Sequence, residues 1–237
     1  MRLMALLFLV GAVATLWCST AEAVYSTTET ESYSGVPNYS TALTFNQFDT
    51  QGGARPLVSI EVILNLQVTG GQYVLDNDGV DSAAGNFEFG GKSGITSTDV
   101  TLLNSLAQPV TGTASALHTS TFSLGANVGD GLGDYDPTPP DGMEYLGQTE
   151  NDSKSGFIGP ILYNMGAKGF VGTGQYVITV DANQWSDYGS VGGIEYAVTP
   201  VGAGGTVTVI YNWTPEPATI GLLALGALFG FRRRRFA

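Results

Sequence analysis

The longest regular pattern in the chain is an alternation. From Leu57 to Thr69, Val58, Ile60, Val62, Leu64, Leu66 and Val68 alternate with Ser59, Glu61, Ile63, Asn65, Gln67 and Thr69. A period of two over twelve positions describes a long strand with one buried face; a helix would scatter the same six residues around its circumference. The pattern returns near the end, where Val207, Val209, Tyr211 and Trp213 alternate with Thr206, Thr208, Ile210 and Asn212. Shorter strands are predicted over 41–48, 72–75, 85–89, 95–103, 120–128, 156–163, 175–181 and 194–199. Turn chemistry separates them: Asn77-Asp78-Gly79, Gly90-Gly91, Gly129-Asp130-Gly131, Gly172-Thr173-Gly174 and Gly192-Gly193. No span of the body has helical periodicity, and 106–119 has no clear pattern. The prediction is all-β, a two-sheet antiparallel sandwich of the jelly-roll sort over 41–213. The polar segment 24–40 reads as a tail or an edge strand, with Glu29, Glu31 and Tyr33 alternating against Thr28, Thr30 and Ser32.

Both ends carry a different pattern. Met1-Arg2, the apolar run Leu3 to Leu16, and Ala21 and Ala23 flanking Glu22 form a signal peptide over 1–23, cut by signal peptidase before Val24. Its removal takes Cys18, the single cysteine, so the mature chain has no thiol for a disulfide, a thiolate metal site or a nucleophile. At the other end stand Pro215, Glu216 and Pro217, an uncharged run Ala218 to Phe231, and Arg232, Arg233, Arg234 and Arg235. At about 1.5 Å per residue the run makes a transmembrane helix of about 21 Å, with snorkelling arginines and Trp213 covering part of the remaining thickness. The basic cluster stays cytoplasmic, which places everything before Trp213 outside the inner membrane.

These three parts in this order, over 214–237, resemble a PEP-CTERM sorting signal. The resemblance implies an exosortase-type enzyme as partner, a transient membrane anchor, and release or transfer near the Pro215-Glu216-Pro217 triplet. The body has a likeness of its own. Ala42 to Asp49, Pro56 to Val62 and Val207 to Asn212 are similar to the choice-of-anchor E family of exported bacterial proteins, which couple a β-rich ectodomain to varied sorting tails. That likeness implies shape and sorting and transfers no catalytic residue.

Charge narrows the partners. The chain carries 21 acids and 9 bases, and five of the bases sit in the end segments. Between Val24 and Pro215 nineteen acids face four bases, a net charge of −15. Such a body repels phosphate, which excludes nucleic acid.

Acidic turns are the first candidate site. Asp76, Asp78 and Asp81 alternate around Gly79, and a short loop of this kind points oxygens at a hard cation; calcium takes six to eight. Asp130, Asp134, Asp136, Asp141 and Glu144 form a second cluster in a proline-containing loop. A solvated acidic turn is the competing account of both. Calcium is the one cofactor the sequence raises. Trp185 and Tyr188, in a polar stretch, are candidates for a sugar-stacking platform or for anchoring a loop. His118, the single histidine, reads as a solvated surface residue, since one imidazole does not furnish the usual zinc sets and no Gly-x-Ser-x-Gly elbow surrounds any serine. The expectation is therefore a non-enzymatic structural or extracellular-matrix component, exported and sorted to the cell surface. A carbohydrate-binding module meeting extracellular polysaccharide, with or without calcium, and a glycoside-active enzyme using paired carboxylates are the alternatives.

Overall fold

The computed structural model describes residues 23–129, 133 and 135–215. The signal-peptide positions 1–22 and the tail from Glu216 onward, which carries the expected transmembrane helix, lie outside them. Among the described residues no helix is long and apolar enough to cross a membrane.

The strands are β1 (Tyr25–Gly35), β2 (Tyr39–Asn46), β3 (Leu57–Thr69), β4 (Gln72–Asn77), β5 (Ala83–Thr96), β6 (Ala114–Leu124), β7 (Gly142–Leu146), β8 (Glu150–Phe157), β9 (Gln175–Asp187), β10 (Ile194–Thr199) and β11 (Gly202–Trp213). Their pairings are antiparallel. One sheet has the order β1-β11-β3-β8, a second β2-β9-β5-β6, and a small third β10-β4-β7. Each strand of the third sheet neighbours in sequence a strand of the first, in the same lateral order, so the third prolongs the first beyond a bend. Gly70 and Gly71 make that bend at φ of 68° and 79°, the left-handed region that favours glycine. Gly147 nestles against them, donating its N–H to the Gly71 carbonyl at 2.9 Å. A Cβ on Gly147 would stand 2.0 Å from the Gly70 oxygen.

The core lies between the layers. β3 buries Ile60, Val62, Leu64, Leu66 and Val68, five of the six residues its alternation selects, while Val58 at its start is exposed. Val207, Val209 and Tyr211 join from β11, Leu43 and Phe45 from β2, and Tyr176, Ile178 and Val180 from β9. Tyr73 of β4 stacks on Phe89 of β5 with centroids 5.5 Å apart, which fastens the bent sheet to its neighbour. Tyr176 and Tyr211 meet across the layers with hydroxyls 2.6 Å apart. Tyr211 donates to the Asn46 carbonyl at 3.0 Å, so Tyr176 donates to Tyr211. Burial lifts both phenols far above the ordinary tyrosine range, and they stay protonated. Carboxylates clasp the two sides of the sandwich. Glu29 of β1 accepts the Asn46 N–H of β2 at 2.7 Å, and Asp152 of β8 accepts the Ser115 N–H of β6, also at 2.7 Å.

The all-β expectation holds, with β3 and β10 at the predicted bounds. Of the two forms expected for segment 24–40 the structure shows the edge strand: β1 pairs with β11 along its whole length at the edge of the first sheet, so the sandwich takes in residues from Tyr25 onward. The strands expected over 85–89 and 95–103 are one: β5 runs straight through the expected turn at Gly90-Gly91 and stops at Thr96. There the Ser97 hydroxyl accepts the N–H groups of Asp99 and Val100 at 3.1 and 3.2 Å and turns the chain. The strand expected over 120–128 is shifted to β6, because its first inward residues are Ala114 and Ala116, buried but too small to mark an alternation. No strand fills 156–163: Gly156 and Phe157 are only the end of β8, and a 3-10 turn follows at Pro160–Leu162. A second such turn spans Gln51–Gly53. β7 and the polar β8 were not expected, β9 runs on to Asp187, and β11 begins at Gly202.

Candidate functional site

The sorting segment leaves the sandwich at one pole. β11 ends at Trp213, the Thr214 N–H donates to the Pro56 carbonyl at 3.0 Å, and Pro215 is exposed. The Trp213 ring stacks on Tyr25 with centroids 5.1 Å apart, and the Arg55 guanidinium lies 4.8 Å from its centroid. Tyr25 pairs with Trp213 in register, so the start and the end of the sandwich share this pole. Ala23, of the expected cleavage site, is exposed beside it; Ala21, Glu216, Pro217 and Arg232 to Arg235 lie outside the described residues.

The two acidic clusters, far apart in sequence, meet at another place. Asp76, buried in β4, lies opposite Gly142 of β7 and Glu195 of β10. Its Oδ2 accepts the Asp136 N–H at 3.1 Å, and Asp78 Oδ1 accepts an N–H from Asn127 Nδ2 at 3.1 Å. The Asp141 carboxylate, also buried, accepts the Val128 N–H at 2.6 Å. Asp81 is exposed, Glu144 takes a hydrogen bond from Gln72, and Asp130 and Asp134 lie outside the described residues. Among the described residues no three His, Cys, Asp or Glu side chains gather to hold a metal ion. The geometry these carboxylates do show is fastening: they collect amide N–H groups from the loop between β6 and β7.

Trp185 and Tyr188 do not form one platform. Trp185 points to the outer side of β9, where it lies opposite Gly90 and covers backbone that has no side chain. Its indole N–H donates to Glu88 Oε2 at 2.9 Å, and the Lys92 ammonium sits 3.1 Å from its ring centroid. That cation occupies one face of the ring. Tyr188 lies the other way, packed on Tyr196 at 5.2 Å and against the core. His118 is not a solvated surface residue. It points inward from β6, half-buried, stacked on Tyr145 at 4.3 Å with Nδ1 3.2 Å from Glu150 Oε1.

A further site has no forerunner among the sequence-based expectations. The outer face of the first sheet carries a groove of about 730 Å3. Cross-strand register builds it in two rows: Ser34, Gly204, Gln67 and Asn151, then Thr206, Asn65 and Ser153. Gly204 leaves the trough between Ser34 and Gln67. Side-chain bonds tie the rows: Asn65 Nδ2 donates to Thr206 Oγ1 at 3.0 Å, Ser153 Oγ to Asn65 Oδ1 at 2.7 Å, and Gln67 Nε2 to Asn151 Oδ1 at 3.0 Å. The signal was the polar half of the β3 alternation, Asn65 and Gln67, which gains meaning only beside its neighbours.

Two carboxylates tie stability to pH. The Lys168 ammonium, 2.9 Å from Asp99, holds that carboxyl below its usual range, and the Val177 N–H adds to the effect. Burial pushes Asp152 upward, but N–H donation from Ser115 and the Lys154 ammonium outweighs it, and its pKa is also lowered. A depressed folded pKa means the unfolded chain takes up protons first. The stabilisation is present above the ordinary carboxylate range of about 3.9 and is lost as pH falls through the folded values. Thermal melts should be flat from about pH 5 to 7 and fall below about pH 4, with a shallower fall in Asp99→Asn.

Comparison with known proteins agrees with the pole. Residues 214–235 match the family model described as the PEP-CTERM protein-sorting motif. The motif marks the chain as an exported surface protein, anchored transiently in the membrane and processed by an exosortase-type enzyme. No curated protein matches the chain. Among solved structures, the STIV MCP aligns at 9% identity over 83% of this chain and 50% of its own, with a TM-score of 0.25. This chain thus spans half the length of that protein. Infectious bursal disease virus Gx strain aligns at 13% identity over 86% and 43%, TM-score 0.16, and Desmodium yellow mottle tymovirus at 7% over 83% and 90%, TM-score 0.15. Scores this low establish no common fold.

Proposed function

We propose that this chain is a non-enzymatic structural component of the cell surface or extracellular matrix, delivered by its tail and left there as a jelly-roll sandwich. The observation that carries the reading is the sorting motif over 214–235, which begins at the residue after β11 ends. The jelly-roll part is supported by strand order. With β3 and β4, β7 and β8, and β10 and β11 each counted as one strand, the sheets read first-eighth-third-sixth and second-seventh-fourth-fifth. That is the order produced by two Greek keys. The likeness of 42–49, 56–62 and 207–212 to the choice-of-anchor E family agrees with it. Low charge, many hydroxyl side chains and an acidic body suit a soluble domain that lasts outside the cell. Calcium forms no part of this role, because the amide N–H groups that Asp76 and Asp78 accept give those two side chains a structural task.

Cell fractionation tests it. The intact chain should pass through a membrane-bound precursor to a shorter surface or extracellular species. A chain lacking 215–237 should be exported and never enter the membrane fraction. Identical fractionation of the two would refute the proposal.

A further inference from the structure

We infer that the groove over Gly204 is a binding subsite for an uncharged glycan chain. The inference deepens the matrix reading above by giving it a ligand, and it is tested on purified protein, so it stands or falls apart from the sorting experiment.

The chemistry of the lining chooses the ligand class. In a chain with 21 acidic residues, the two rows facing this groove contain none: they are amides, hydroxyls and glycine. Asp152 borders the groove, but its carboxylate is paired with Lys154 at 3.0 Å and takes the Ser115 N–H. A phosphorylated, sulfated or uronate ligand would find no counter-charge here and would be repelled by the rest of the body. A purely apolar ligand would strip water from six carboxamide and hydroxyl neighbours without replacing their bonds. A polyhydroxylated neutral chain meets neither objection. A carboxamide sets a donor beside an acceptor at the spacing of a vicinal diol, and it has two N–H groups and two lone pairs. The bonds among Asn65, Thr206, Ser153, Gln67 and Asn151 use part of that capacity and hold the groups in orientation before any ligand arrives.

Shape agrees. The groove lies across four strands whose backbones are hydrogen-bonded, so its floor is rigid, and its volume falls within the range of about 300–1,000 Å3 common to small-ligand sites. It is an open trough, and a polymer can lie across it without threading.

Affinity electrophoresis of the full chain through gels containing dextran, laminarin or alginate decides the matter. Retardation is expected in at least one of the neutral polymers and not in alginate. The Gln67→Ala, Asn151→Ala double variant should weaken it by about ten-fold or more, the effect of removing two hydrogen-bonding amides. Trp185→Ala should leave it unchanged. Should the double variant melt early, Ser34→Tyr, at an exposed edge position, fills the trough and must abolish retardation by itself. The inference is overturned by migration unaffected in both neutral gels, by retardation in alginate alone, by a double variant that binds as the parent does, or by loss on Trp185→Ala. A doubled sedimentation mass that the double variant loses would also overturn it, assigning the face to a second copy of the chain.

Discussion

Leu64→Asp should abolish soluble folding. Leu64 is 0% exposed on β3, which is paired on one side to β11 and on the other to β8, so the side chain has no route to water. Its register partners are Val207 and Lys154. Val207 offers no counter-charge, and the Lys154 ammonium is engaged with Asp152 at 3.0 Å. Burying an unpaired carboxylate costs several kcal/mol, and losing the leucine adds about 2–5 kcal/mol. Together these match the whole stability of an ordinary domain, about 5–15 kcal/mol. Gln67→Asp, three positions along and exposed on the outer face, should cost about 1 kcal/mol or less. Export yield and protease resistance compare the two; equal tolerance would mean β3 does not bury the face described.

Gly205→Ala should be the most damaging single methyl that can be added to β11. Its Cβ would lie 1.9 Å from the Asn65 carbonyl oxygen on β3 and 2.9 Å from the Tyr33 hydroxyl. Tyr33, the register partner of Gly205 on β1, lays its ring over the glycine and donates to that same carbonyl at 2.8 Å. A methyl would pry β11 from β3 and break the tyrosine contact at once. The expected loss is about 3 kcal/mol or more, read as a fall in melting temperature. Gly202→Ala, where the nearest atom is the Thr69 hydroxyl at 3.3 Å, should be close to neutral.

Those two positions also show what the sequence displays and what it hides. Leu64 is legible because its strand has one dry face, and dryness writes itself as alternation. β8, with the sequence ENDSKSGF, has no fully buried side chain; its inward positions, Glu150, Asp152 and Lys154, are half-buried and polar. It is a strand because β3 needs a partner for its backbone on that side, and a demand of that kind leaves no trace in the polar partner's own residues. β6 hid for a different reason, since Ala114 and Ala116 fit against the opposing layer by being small. The candidate sites divide the same way. Trp185 and Tyr188 look like companions in sequence, but an extended chain sends residues three apart to opposite sides. The groove draws on Ser34, Gln67, Asn151 and Gly204, which no local pattern links; only the strand order makes them neighbours.

The pole where Tyr25 meets Trp213 bears on how the tail can be read. A single residue, Thr214, separates the last paired residue of β11 from Pro215, and β11 is hydrogen-bonded along both flanks, to β1 and to β3. A membrane enzyme that grips the triplet works flush against a finished domain and cannot draw the upstream peptide into an extended clamp without unzipping two ladders. An enzyme that leaves β11 folded would therefore meet only residues on the C-terminal side of Trp213.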